Sequence, residues 1–146
     1  MKAKTKIVLL IILLATGVVL GFMLRTPSSP ISPQVPLAPQ YQTQENEAGN
    51  VTVSVTPLFL KAGLPASFDV AFETHSVELD FDVEKVATLT DSRGSSYSAH
   101  WDGSPPGGHH RSGTLRFTPD LIAPTTITLT FTNIAGTPRT FTWEVQ

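Results

Sequence analysis

The sequence predicts an all-β domain, an immunoglobulin-like antiparallel β-sandwich of about eight strands, behind one N-terminal transmembrane helix and a proline-rich linker. Apolar and polar residues alternate through the C-terminal two thirds of the chain, which is typical of strands with one buried face. Glycine, proline and aspartate clusters separate these runs at spacings of about ten residues, as in two-sheet sandwiches. Near the N-terminus stands an uncharged apolar run long enough to cross a bilayer.

The first element is the apolar run at residues 7–24, IVLLIILLATGVVLGFML, with three lysines before it and Arg25 after it. As an α-helix this run spans about 27 Å, close to the hydrocarbon thickness of about 30 Å. The excess of lysine before the run predicts a cytoplasmic N-terminus and an extracytoplasmic C-terminal domain. We therefore predict that residues 1–25 are a single-pass signal anchor in the cell membrane, with the lipid bilayer as the partner of residues 7–24.

A cleaved secretory signal is the alternative, because a basic start followed by an apolar run fits that pattern too. The run is longer than the apolar core of about 7–15 residues that such signals carry. Residues 22–25, FMLR, occupy the place of the small residues that a signal peptidase needs. The sequence therefore favours an anchor that stays attached.

The second element is a spacer at residues 26–49. Its first part repeats proline at every third residue, which matches the three residues per turn of polyproline II and predicts a rod of about 40 Å. Residues 41–50, rich in Gln, Glu and Asn, are predicted to form a flexible hinge. The repeated prolines are Pro27, Pro30, Pro33, Pro36 and Pro39.

The third element is the ectodomain, residues 50–146, in which no stretch has a helical period. Trp101 and Trp143 have apolar neighbours at the same strand parity, so both are predicted to be core residues. The predicted strands are 51–55, 68–72, 77–81, 86–90, 97–101, 114–117, 127–131 and 141–145.

Composition restricts the chemistry of this ectodomain. The chain has no cysteine, which excludes disulfides, thiolate zinc sites, thiol redox chemistry and blue copper. Beyond Arg25 there are six basic and twelve acidic residues, a balance that argues against nucleic acid as a partner. An extracytoplasmic protein or a cation remains as the predicted partner.

The histidines are the candidate metal ligands. Imidazole is the commonest protein ligand for transition metals such as zinc and copper. We expect His75 and the loop carrying His109 and His110 to meet at one end of the sandwich, with His100 or Asp102 as a further ligand. His75 also shares the parity of inward-facing strand residues, so the alternative is that it points inward and fixes a neighbouring loop.

A stripe of carboxylates follows the same segment. Glu78, Asp80, Asp82 and Glu84 alternate with apolar residues, so a strand would project them all from one face. We interpret them as a solvated face rather than a calcium site, because calcium sites gather their ligands from tightly turning loops.

Three segments of the ectodomain carry a family resemblance: THSV at 74–77, WDGSPPGGHHRSG at 101–113 and LRF at 115–117. They are similar to the THS and PPGGHHRxGxLxF segments of an uncharacterised family of exported or membrane-anchored prokaryotic β-sandwich domains, which the chain therefore resembles. It covers most of residues 50–146. The family has no known activity, so the resemblance implies that the histidine-bearing loop is a family feature and assigns it no role.

Three functions stay open from the sequence. The first is a non-enzymatic interaction or envelope-associated module without a cofactor, and the second is a metal-binding module that uses the histidines. The third is a small hydrolase, for which His75, Ser76 and Asp80 supply a triad on paper, although no GxSxG or HExxH motif is present. The sequence favours the first, so we predict that the protein is not an enzyme.

Overall fold

The computed structural model describes residues 41–145, which form eight β-strands and one short helix. The predicted anchor at 1–25 and the proline repeat at 26–40 lie outside the described residues. Within 41–145 no helix has the length and hydrophobicity to cross a membrane. The elements are β1 Gln44–Ala48, β2 Val51–Phe59, β3 Ala66–Thr74, α1 Val83–Val86, β4 Ala87–Asp91, β5 Ser96–Gly103, β6 His110–Thr118, β7 Thr126–Ile134 and β8 Thr137–Glu144.

All strand pairs are antiparallel, in the order β1-β2-β3-β6-β5-β4-β7-β8. Strand β5 joins two groups of strands, β1-β2-β3-β6 and β4-β7-β8. Its residues 98–103 pair with β6, and its residues 96–97 pair with β4. The sheet is nearly closed, because Gln44 Nε2 of β1 donates to the Thr142 carbonyl of β8 at 2.9 Å. This confirms the all-β, antiparallel, eight-stranded fold class, while the immunoglobulin-like arrangement stays a prediction.

The core forms from the inward-facing residues of these strands, as the alternation in the sequence predicts. Phe68 contacts Trp143 at a ring-centroid distance of 5.3 Å, and Phe72 contacts Phe131 at the same distance. Trp143 is buried, as predicted, whereas Trp101 is half-buried at the edge of the core. Aromatic burial of this kind supplies much of the stabilisation available to a domain without disulfides.

The predicted strand at 77–81 is wrong. Residues 75–82 form an irregular loop, which leads into α1. The alternation of apolar and polar residues here comes from a loop that packs on the core. Leu79 is fully buried, and Val77 and Phe81 pack against the core from the same loop. The backbone of Leu79 pairs with Gly107 and Gly108, which belong to another loop.

The predicted flexible hinge contains a strand. Residues Gln44–Ala48 form β1, in register with β2 from Gln44 opposite Val55 to Ala48 opposite Val51. An edge strand buries few side chains and needs no apolar alternation, so the polar composition of this segment predicted a hinge.

The strands run between two ends that we name by their contents. The linker end holds Tyr41, where the described chain begins, together with the loops 60–65 and 119–125. The histidine end holds the loops 75–82 and 104–109 and the turns that connect β1 to β2 and β7 to β8.

Candidate functional site

The histidines of the predicted site are all exposed, and three of them lie at the histidine end. His75 follows β3, and His110 begins β6, which pairs with β3. The rings of His75 and His110 face each other edge to face, with centroids 6.4 Å apart. The structure therefore brings these two side chains together. The alternative that His75 points inward is wrong, because β3 ends at Thr74 and His75 is exposed in the loop that follows.

The remaining predicted ligands have other surroundings. His100 lies on β5 with its Nδ1 3.3 Å from Glu84 Oε1. Asp102 is exposed further along β5, opposite Thr114 of β6. Within residues 41–145 no three His, Asp or Glu side chains are grouped so that they could hold a metal ion. The metal site stays a prediction, with His75 and His110 as its one adjacent pair of imidazoles.

Arg111 holds the two loops of this end together from the inside. Its side chain is 3% exposed, and its Nη1 donates to the carbonyls of Leu79 at 3.0 Å and Phe81 at 2.7 Å. Its Nη2 donates to the Ser104 carbonyl at 3.2 Å. Burial lowers the pKa of the guanidinium, and the charge of Asp82 partly opposes that shift. Arg111 therefore links both loops through their backbone carbonyls.

Backbone hydrogen bonds join the same loops along their length. Leu79 N–H donates to the Gly108 carbonyl at 3.0 Å, and Gly107 N–H donates to the Leu79 carbonyl at 2.8 Å. Glu78 Oε1 accepts from Gly108 N–H at 2.6 Å. The Thr74 hydroxyl donates to the Asn50 carbonyl at 2.6 Å and so fixes the β1–β2 turn as well.

The predicted carboxylate stripe does not exist as a strand face, because its residues belong to the loop and to α1. Asp82 is the N-cap of α1, and its Oδ1 accepts from Glu84 N–H at 3.1 Å. Glu84 Oε1 accepts from the backbone N–H of Trp101 at 2.7 Å. Asp80 is exposed without a hydrogen bond among the described contacts. Three of the four carboxylates thus have local structural contacts.

A pair of glycines sets the packing beneath the loops. Gly103 of β5 lies opposite Gly113 of β6, and a Cβ on Gly103 would come within 2.5 Å of Trp101 Cζ2. A Cβ on Gly113 would overlap the Cα of Gly103. Only glycine permits this approach, which leaves room for the indole of Trp101, whose Nε1 donates to the Ser104 carbonyl at 3.1 Å.

Sequence reasoning missed the role of Arg111. The residue shares the strand parity of Leu115 and Phe117, so the alternation of β6 placed an arginine among inward-facing residues. A buried arginine needs several hydrogen-bond acceptors, which turns and loops supply through their carbonyls. That combination was the available indication that the loops converge on this position.

The surface of the histidine end is acidic and grooved. One open groove of about 240 Å³ lies between the 75–82 loop and the β7–β8 turn, and a second of about 250 Å³ lies beside Arg111. No hydrogen bond among the described contacts joins the side chains of His75, Ser76 and Asp80 as a triad requires. The exposed carboxylates at this end are Glu47, Glu73, Glu78, Asp80, Asp82, Glu84 and Asp102.

Comparisons with known proteins give little further information. No protein-family model matches the chain, and no curated protein matches it. A solved structure with a similar arrangement is the 1.5 Å crystal structure of MPT63, a secreted protein from Mycobacterium tuberculosis. The two share 14% sequence identity over 70% of this chain and 92% of MPT63, with a TM-score of 0.43. The likeness is too weak to bear on function, and the family resemblance noted in the sequence stays a prediction.

Proposed function

We propose that the protein is a single-pass, membrane-anchored, extracytoplasmic β-sandwich of immunoglobulin-like type, which acts as a non-enzymatic interaction or envelope-associated module. Its histidine end is the surface that meets a basic extracytoplasmic protein. The observation that carries this proposal is the position of the histidine end, which lies opposite the point where the chain enters the domain.

The path of the chain supports this orientation. Tyr41 lies at the linker end, where its hydroxyl donates to the Leu60 carbonyl at 3.1 Å. From there β1 runs to Ala48 at the histidine end. A domain tethered through residues 26–40 therefore has its histidine end as the surface farthest along the fold from the tether.

Charge and loop construction support a basic partner. The described residues carry six basic and twelve acidic side chains, and two of the bases, Arg111 and Arg139, are buried, which leaves the surface still more acidic. Complementary charge accelerates association and selects among partners. Because Arg111 braces the loops internally, their surface loses little conformational freedom on binding.

The test is photo-crosslinking from the full chain in membranes of its host, with the photoreactive residue at His109 and a matched control at Thr90, an exposed position near the linker end of β4. We expect a defined protein adduct from position 109 alone. We expect that adduct to disappear in the triple variant Glu73→Gln, Asp80→Asn, Asp102→Asn. It should persist in a matched variant, Glu45→Gln, Asp120→Asn, Glu144→Gln, which neutralises exposed carboxylates away from this end.

Equal adducts from both positions would contradict a specific surface at the histidine end. Membrane attachment is tested on the same material, since an anchored chain stays with the membrane pellet at alkaline pH. A chain trimmed near residue 25 and recovered in the supernatant would contradict the anchor and restore the cleaved-signal alternative.

Metal binding is the second candidate, favoured by the contact between the His75 and His110 rings. Neutral imidazoles bind zinc or copper, and an ion that binds only the folded state raises the thermal midpoint by an amount that grows with the logarithm of its free concentration above the Kd. Elemental analysis and thermal melting of the full chain, with and without chelator, test this candidate. Stoichiometric metal that is lost in His75→Ala and retained in His100→Ala would support a site at this pair, and metal-free protein with an unchanged midpoint would remove it.

A further inference from the structure

We propose that the linker end docks directly on the surface of the lipid bilayer, so that the domain is held against the membrane by its own side chains as well as by its tether. This inference rests on the anchoring in the proposed function. It adds a second membrane contact, made by folded residues that the transmembrane prediction does not include.

Large apolar side chains are exposed at the linker end. Ile122 is 68% exposed and Phe59 is 56% exposed, and Leu64 and Leu58 are 43% and 40% exposed. Within residues 41–145 these four are all the exposed large hydrophobic residues that the structure contains. Exposed apolar residues gathered at one end of a domain are a mark of protein–protein and membrane contact sites. We call these four residues the apolar patch.

Leu64 and Ile122 lie on one surface because their loops are joined, and Leu58 and Phe59 are the last two residues of β2 at the same end. Gly63 N–H donates to the Leu121 carbonyl at 2.8 Å, and Leu121 N–H donates to the Leu64 carbonyl at 3.0 Å. Arg93 Nη1 donates to the Ile122 carbonyl at 3.2 Å and ties a third segment to the same place. The two loops are rooted in the core by Leu60 and Leu121, which are buried.

The position of the chain identifies the occupant. The described chain begins at Tyr41, which contacts the loop of the patch through Leu60. Sixteen residues separate Tyr41 from the end of the predicted membrane segment at residue 24, a reach of about 55 Å at most. The length of the predicted proline rod limits only the largest distance between the domain and the bilayer, because a tilted rod would bring the domain to the membrane surface. Tethering at this distance gives the patch a high effective concentration of lipid.

Composition favours lipid over an acidic or basic protein. Leucine, isoleucine and phenylalanine beside a basic residue, here Lys61, are the residues that enter the headgroup and acyl boundary. Exposed carboxylates crowd the opposite end, and charged groups are costly to bring out of water against lipid, so the linker end is the one that approaches.

The sequence contains no cysteine, so a single introduced cysteine is the only site that a thiol-reactive spin label can modify. The full chain is inserted in lipid nanodiscs with a spin label at Ile122→Cys or, as the matched control, at His109→Cys. Docking predicts that the label at 122 collides more with oxygen and less with a water-soluble nickel complex than the label at 109. The variant Leu64→Ser, read by the label at 122, should lower the ratio of docked to undocked molecules by about tenfold, from the loss of one buried leucine.

Three results would overturn the proposal. One is equal accessibility of the two labels in nanodiscs that contain the inserted chain, which leaves the anchor intact. Another is a dipolar distance between labels at 122 on two chains, which means that a second copy covers the patch. The third is protection of the label at 122 in detergent-free solution of residues 41–146, once circular dichroism shows that this part folds. Failure of the chain to insert contradicts the proposed function instead.

Discussion

Arg111 is a buried cation whose hydrogen-bond partners are backbone carbonyls, and no carboxylate pairs with it among the described residues. Its guanidinium also lies 5.1 Å from the centre of the Phe81 ring. The only buried donor of this side chain without a partner is Nε. The guanidinium therefore satisfies the backbone carbonyls of the loops and does not form an ion pair. Each of these carbonyls belongs to a segment outside the strands.

We predict that Arg111→Met lowers the free energy of unfolding by about 2 to 3 kcal/mol, because the Phe81 carbonyl loses its charged donor, whereas the carbonyls of Leu79 and Ser104 each keep a second donor. Urea titration measures this value. The same substitution at Arg116, which is exposed on the same strand, is the control and should change stability by less than about 0.5 kcal/mol. A loss of stability in Arg111→Met as small as that in Arg116→Met would mean that the loop carbonyls find other donors.

Asp91 controls the turn between β4 and β5. Desolvation raises the pKa of its carboxyl, but hydrogen bonds from the Tyr97 hydroxyl and from the backbone of Ser95 and Arg93 outweigh it. The net result is a pKa below the ordinary value of 3.8. A carboxyl with a lowered pKa in the folded state stabilises the fold above its unfolded pKa, and this contribution is lost as the pH falls through the folded value.

We therefore predict that Asp91→Asn is less stable than the wild type at neutral pH and that the difference narrows as the pH falls below about 3.8. Thermal midpoints from pH 2 to pH 7, in steps of about one unit, measure it. Tyr97→Phe removes one of the three interactions and should give a smaller difference with the same direction. A difference that is constant with pH would show that the carboxylate charge has no part in the turn.

At the scale of elements, β1 determines where the domain begins. It covers the exposed edge of β2, and Ala48 supplies a carbonyl to the buried guanidinium of Arg139. The hydrogen bonds of the strand are formed by the backbone, so neither its charge nor its polarity prevents pairing. A domain boundary at residue 50 therefore removes a structural strand.

We predict that a chain starting at residue 41 folds, whereas one starting at residue 50 is destabilised and self-associates through the uncovered edge of β2. Circular dichroism and light scattering compare the two chains. A control that keeps β1 but replaces its three acidic and amide side chains Glu45, Asn46 and Glu47 by threonine should fold. Equal stability of the two truncated chains would contradict the structural role of β1.

At the scale of the whole molecule, side chains rather than backbone ladders close the sheet. Arg139 of β8 is fully buried and donates through Nη2 to the Ala48 carbonyl of β1, and through Nη1 to the Thr137 carbonyl at 2.9 Å. Gln44 of β1 donates in the opposite direction, to the Thr142 carbonyl. These two contacts join the first and last strands.

We predict that Arg139→Met costs about 3 kcal/mol of stability, because the part-buried Ala48 carbonyl of β1 loses its charged donor. Amide hydrogen exchange should accelerate in β1 more than in β3, since β1 depends on the hydrogen bond from Arg139 and β3 does not. Arg93→Met, at an exposed position, is the control and should leave exchange in β1 unchanged. Uniform acceleration across all strands would show a global loss of stability without a specific role at the closure.

The sequence indicated most of the strands, because alternation of apolar and polar residues follows directly from the two faces of a pleated strand. It failed at residues 77–81, where Val77, Leu79 and Phe81 are partly or fully buried from a loop, and at β1, where an edge strand has little to bury. Of the candidate site, it indicated that His75 would meet the His109–His110 loop. The strand parity of Arg111 indicated a buried arginine, but the sequence could not show which carbonyls it meets, because those of Leu79, Phe81 and Ser104 have no sequence signature.

The sequence by itself determined the fold class, the absence of thiol chemistry and an acidic character beyond the predicted anchor, since each follows from composition or from short-range periodicity. Only the tertiary structure decided which residues share an end of the molecule. The distance between His75 and His110, the meeting of Leu64 with Leu121 and the closure by Arg139 all depend on strand order and register. Those are set by packing between residues that are far apart in the chain, and no local pattern encodes them.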